Sequence, residues 1–175
     1  MVFEGDRRKT ATYLETIIEK DRNVLIVSKP NAIKNIWFPL FKERGVSIVS
    51  GTYAAKMRAA KETERITMIP YDDLGFFQWR LNHVGWYDDV IVDYCNKIKN
   101  TGNDDFRRLH TVKSSRVICM DRQIETETFY ALSKITDAGW YGSLSRADFL
   151  KMSEREKRSP VVFNQIEKPT ARRRS

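Results

Sequence analysis

The chain has 175 residues, enough for one domain that buries a core of its own. Hydrophobic residues make up 41% of it and include 9 Phe, 7 Tyr and 4 Trp, which excludes a disordered chain. No apolar run approaches the roughly 20 residues of a membrane span, and the net charge of +8 points toward an anionic partner.

Most of that charge is local. Lys151 to Ser175 holds eight Lys/Arg against three Asp/Glu, leaving +3 for the first 150 residues. A polyanion is the partner such a tail implies, and a solvated end is the plainer alternative. Met1 to Arg8 has no signal-peptide hydrophobic region, so a cytoplasmic location is expected. Cys95 and Cys119 then read as reduced core thiols. His83 and His110 lack metal-ligand spacing, so neither a metal site nor a cofactor is expected.

Apolar positions at helical spacing predict a first helix over Thr12 to Lys20, and Asn23 to Ser28 follows as a buried strand. Pro30 precedes a helix from Asn31 to Arg44, with Ile33, Ile36, Trp37, Leu40 and Phe41 on one face and Gly45 placed to cap it. Val46 to Ser50 is the next strand, Thr52 to Lys61 an Ala-rich helix, and Arg65 to Ile69 a further strand. Tyr71 to Asn82 reads as a short helix capped by Asp72 or Asp73. Val90 to Val92 is apolar on both faces, as a central parallel strand is. Asp104 to Val112 is helical, Ser115 to Met120 a strand, Ile124 to Ile135 an amphipathic helix, and Ser145 to Lys157 a last helix. From Ser159 onward, Pro160, Pro169 and Arg172-Arg173-Arg174 predict an irregular or docked tail. The expected division is a domain over 1–158 and a basic tail over 159–175. The alternation of strands and helices predicts an α/β domain, a central mostly parallel sheet with helices on both faces.

Several segments carry a resemblance. Asp89-Val90-Ile91-Val92-Asp93-Tyr94-Cys95-Asn96 followed by Lys97-Ile98-Lys99-Asn100 resembles the Asp-Glu-Ala-His motif of Snf-type ATPases in helicase superfamily two. Val24 to Pro30 with Trp37 resembles the family's strand, Ala-Pro-type turn and tryptophan-bearing helix. Val46 to Thr52 resembles the strand that ends in a Gly-rich turn, and Ile66 to Leu74 the Ile-Thr-x-Tyr-Glu-x-Leu segment. Arg116 to Arg122 stands where the coupling Leu-Thr-Gly-Thr-Pro segment belongs. The resemblance covers about Glu4 to Leu150 and implies the first RecA-like domain of such a motor.

The departures are as informative. The family's phosphate loop ends Gly-x-Gly-Lys-Thr, and here the position reads Asp6-Arg7-Arg8-Lys9-Thr10. Glycine is needed there because bare backbone N–H groups must wrap the phosphates closely. Asp6 adds an anion instead, and Arg7 and Arg8 can fill the cradle with side chains. Tyr94 replaces the glutamate that polarises the attacking water. The chain also ends where the family's second domain begins, so the arginine fingers of that domain are expected to be missing.

On this resemblance Lys9, Thr10 and Asp93 are a relic nucleotide site, with no catalytic residue left. Lys29, Lys34, Thr52, Lys97, Lys99, Arg107, Arg108, Arg172, Arg173 and Arg174 are candidates for phosphate contacts along DNA, with a solvated charged face as the alternative. Trp140, Tyr141 and Phe163 are candidate anchors for a partner protein. The leading expectation is a catalytically inactive helicase-like module that binds the DNA backbone, in a bacteriophage setting of replication, recombination or transcription within the host cytoplasm. The alternatives are a protein decoy that occupies or mimics a host helicase or translocase, and half of a split ATPase.

Overall fold

Successive side chains of a strand point to opposite faces, and all five residues of Val24–Ser28 are buried. Both faces of this strand must therefore be covered, and they are. Leu25 and Val27 join one apolar core while Val24 and Ile26 join another. Val90 and Val92 divide from Ile91 in the same way.

The computed structural model describes residues 1–61, 64–83, 86–136, 145–152 and 163–166, the side chains of 79–83 and 163–166 excepted. In chain order the elements are β1 (Val2–Gly5), α1 (Arg7–Ile17) and β2 (Val24–Ser28). Helix α2 begins at Pro30–Ala32, widens into a π turn over Ile33–Trp37, resumes over Phe38–Phe41 and closes in a 3-10 turn, Lys42–Arg44. Next come β3 (Val46–Ile48), α3 (Tyr53–Lys61), β4 (Ile66–Pro70), a 3-10 turn (Tyr71–Asp73) and α4 (Leu74–His83). After these come β5 (Tyr87–Asp93), a 3-10 turn (Cys95–Ile98), α5 (Asp104–His110) and β6 (Ser114–Asp121). Helices α6 (Thr128–Ile135) and α7 (Arg146–Lys151) and strand β7 (Phe163–Ile166) complete the described part.

The seven strands form one sheet in the order β3-β4-β2-β5-β6-β1-β7, and every pair is parallel. Helices α1 and α2 pack on one face through Leu14, Ile18, Trp37 and Phe41. Helices α3 to α7 pack on the other through Ala60, Phe77, Phe106, Phe129 and Phe149. The expected α/β sheet covered on both faces is the one observed. Because all strands run the same way, their carboxyl ends share one edge, where open α/β sheets place their ligands.

The expected elements differ from the observed ones in places that have physical causes. Strand β1 was not anticipated, since its apolar signal is only Val2 and Phe3, both fully buried. The first helix starts at Arg7 and not Thr12, because the Asp6 carboxylate accepts the Lys9 N–H at 3.0 Å and caps it there. The helix expected from Ile124 starts at Thr128. Upstream, the Ile124 N–H is taken by the Glu4 carboxylate and the Glu125 N–H by Asn96, so those donors are held outside the helix. In α2 the π turn precedes Pro39, whose ring needs room at the carbonyl four residues back. Gly45 ends that helix at φ 74, a conformation glycine adopts without penalty.

Residues 163–166 belong to the stretch expected as an irregular or docked tail, and they lie along β1 as an edge strand. Trp140, Tyr141 and Arg172 to Arg174 lie outside the described residues, as does the side chain of Phe163. Cys95 and Cys119 are buried and free, and burial pushes the Cys119 thiol up to about 12. No helix among the described residues is long and apolar enough to cross a membrane.

Candidate functional site

At the carboxyl edge, β5 ends in Asp93, which is fully buried. A carboxylate without water needs donors on both oxygens. Asp93 Oδ2 accepts from the Ser28 hydroxyl at 2.7 Å and the Trp37 indole N–H at 3.0 Å. Its Oδ1 accepts the Tyr94 N–H at 2.9 Å. The Arg7 guanidinium supplies the countercharge, with Nε 3.1 Å from Oδ1. Burial pushes the Asp93 carboxyl above its usual value, while the bonds from Ser28 and Trp37 and the charge of Arg7 pull the other way.

Arg7 also donates to Asp121 at the end of β6. Its guanidinium carbon lies 3.3 Å from the centroid of the Tyr94 ring, and Lys29 Nζ lies 4.2 Å from the same ring. One cation thus joins the ends of two adjacent strands and stacks on an aromatic face. Tyr94 is held at φ 59, ψ 46, and among the described residues it is the one non-glycine with positive φ. That left-handed conformation costs roughly 1–2 kcal/mol for an L-residue, and it places the phenol ring against Arg7.

The other positions expected to form a nucleotide site are also engaged within the protein. The Asp6 carboxylate caps the amino end of α1, where a P-loop would seat phosphate. Hydrogen bonding from the Lys9 N–H holds its carboxyl below the usual value. Thr10 is buried, and its hydroxyl donates to the Asp6 carbonyl at 2.9 Å. Lys9 is exposed. Asn96 stands where the resemblance places histidine. Its side chain donates to the Gln123 carbonyl at 2.8 Å and accepts from the Glu125 N–H at 3.0 Å and the Thr128 hydroxyl at 2.9 Å. A magnesium-bound nucleotide does not fit these residues, because an arginine holds the acidic side chains and a carboxylate holds the helix end.

The candidate phosphate-contacting residues separate into two groups. Lys29, at the head of α2, and Lys97, past β5, line a cleft of about 390 Å³ with Pro30, Asn31, Tyr71, Asp72 and Tyr94. Lys97 Nζ lies 4.9 Å from the Tyr71 ring and 3.9 Å from Asp72. Lys34 is exposed on α2, and Thr52 is exposed with its hydroxyl oxygen accepting the Ala55 N–H at 3.3 Å. The other group pairs with acids more closely than Lys97 does: Lys99 with Glu125 at 3.4 Å, Arg107 with Asp104 at 3.5 Å and Arg108 with Asp105 at 3.4 Å. Sequence reasoning placed Arg7 and Arg8 in the cradle; Arg8 is exposed, and the pairing of Arg7 with Asp93 and Asp121, like the bonds from Ser28 to Asp93 and from Asn96 to Asp121, was not anticipated. The signal for Arg7 was present, as a charged side chain where a glycine loop belongs.

Comparison with protein-family models gives no match, and comparison with curated proteins gives none. Among solved structures the chain is similar to a Sulfolobus solfataricus SWI2/SNF2 ATPase core in complex with dsDNA. The TM-score is 0.73 and the sequence identity 14%, over 94% of this chain and 39% of that one. The chain therefore spans well under two thirds of that structure. At this identity the likeness speaks to fold, and it establishes that fold as α/β and RecA-like.

Proposed function

We propose that this chain is a catalytically inactive, helicase-like module, corresponding to the first RecA-like domain of a Snf-type motor, that binds the DNA backbone with the carboxyl edge of its sheet. The observation that carries the inactive half is Arg7, paired with Asp93 and Asp121 where a motor would hold metal and phosphate. Tyr94 offers no carboxylate to polarise water, and Asp6 repels a triphosphate from the head of α1.

The binding half is supported by the similar structure, which holds dsDNA, by Lys29 and Thr52 on the turns after β2 and β3, and by the exposed Lys34 on α2. Lys29 and Lys34 make no ion pair with an acid among the described residues, so their charge is available to phosphate. Such contacts carry affinity without reading bases, and salt weakens them. The exposed pairs of Lys99, Arg107 and Arg108 with their acids contribute less to that field. The phage setting proposed with this reading rests on the sequence resemblance alone.

Charge reversal tests the assignment. Lys29→Glu and Lys97→Glu are each expected to weaken duplex binding equally across sequences and to lower the salt slope by roughly one per lost contact. Fluorescence anisotropy with labelled duplex, over a salt series, reads both quantities. Equal affinities for both variants and the wild type would move the interface elsewhere. An absence of duplex binding at low salt would replace DNA by a protein partner.

A further inference from the structure

A second cleft lies at the opposite, amino edge of the sheet and shares no residue with the site around Asp93. It measures about 730 Å³ and is lined from the starts of β5 and β6 and the last turns of α5 and α6. Its described lining includes Trp86, His110, Lys113, Arg116 and Lys134 and no Asp or Glu. Trp86 is 58% exposed, yet its indole N–H donates to the Ser115 hydroxyl at 2.8 Å. The polar tip of the ring is thus anchored while much of its surface stays open to solvent. Core packing leaves tryptophan the other way round, with the ring covered.

The charged side chains that line this cleft are basic. Arg116 is held by the buried Asp89, which Arg22 also approaches at 3.7 Å while pairing with Glu19 at 3.3 Å. Lys113 and Lys134 add two charges. The carbonyl ends of α5 and α6 face this edge and together bring roughly one negative charge, set against these lysines. A fixed aromatic platform beside lysines, in a cleft the size of one nucleotide, matches the way proteins hold unstacked bases.

We propose that this cleft binds an unpaired nucleotide, with the base stacked on Trp86 and the phosphate held by Lys113, Lys134 and Arg116. The nucleotide is either free or part of a single strand. The assignment stands apart from the duplex-binding reading.

The test uses the full chain and a labelled oligothymidylate, followed by anisotropy. Trp86→Ala is expected to weaken binding about tenfold, Lys113→Glu to weaken it and flatten its salt dependence, and Trp86→Phe, which keeps a stacking face, to retain most of the affinity. Lys29→Glu leaves this binding intact even if it abolishes duplex binding. Competition by thymidine monophosphate identifies the free nucleotide as a source, and competition by unlabelled oligonucleotide alone identifies the strand. The proposal is overturned if the wild type does not bind, or if Trp86→Ala and Lys113→Glu bind as the wild type does. Equal loss in Trp86→Phe and Trp86→Ala would overturn it as well, since stacking would then not be the contact.

Discussion

Replacing Arg7 by alanine is expected to destabilise the fold by about 3–5 kcal/mol, the range for breaking a buried ion pair from one side. The change leaves Asp93, fully buried, and Asp121, nearly so, without their countercharge. It also uncovers one contact of the Tyr94 ring, which sits in an unfavourable backbone conformation. Urea unfolding of the two proteins measures the difference. Combining Arg7→Ala with Asp93→Asn should recover part of the loss, because the uncompensated charge is then absent. The pH dependence has a definite sign. Burial already raises the Asp93 carboxyl, and without Arg7 it rises further. Its contribution to stability is then present in acid, below its unfolded value, and is lost as pH climbs through the raised folded value. The deficit of Arg7→Ala should therefore shrink as pH is lowered. A loss under about 1 kcal/mol, equal at all pH values, would show that Arg7 does not hold this edge together.

Trp37 is expected to give the second largest effect. Its ring is fully buried and stacked on Phe41 at 6.3 Å between centroids, and its N–H is one of two side-chain donors to Asp93 Oδ2. Trp37→Phe removes the donor while keeping most of the volume, and should cost about 1–3 kcal/mol, as for a hydrogen bond to a charged group. Trp37→Ala adds a cavity in the core between α2 and the sheet, and should cost about 3–5 kcal/mol. Because Trp37 and Arg7 act on the same carboxylate, the double variant is expected to depart from additivity. Near-zero loss in Trp37→Phe, measured by urea unfolding, would mean the indole N–H contributes nothing to holding Asp93.

The sheet was legible in the sequence where burial on two faces forces continuous apolar runs, as in Val24 to Ser28 and Val90 to Val92. It was not legible in β1, where four residues beside charged neighbours leave a signal of only Val2 and Phe3. Helix starts were misread where a long-range donor or acceptor set them. Asp6 begins α1 early, and Glu4 and Asn96 keep Ile124 and Glu125 out of α6. The motif order pointed to Asp93 as the centre of the site. The arginine it pairs with was hidden, because an arginine among four charged residues does not declare which carboxylate it will meet 86 and 114 positions away. The same blindness applies to Trp86. Sequence shows an aromatic next to Tyr87, and only the fold places Lys113 and Lys134 beside it.

The carboxyl edge is proposed to bind DNA and to do so without control by a nucleotide. The measurement that tests both is anisotropy of labelled duplex DNA with the full wild-type chain over a salt series, with and without magnesium and ATP. Binding is expected to weaken steeply with salt and to follow the same curve whether or not magnesium-ATP is present. Absence of binding at low salt, or a curve that magnesium-ATP displaces, would contradict the proposal.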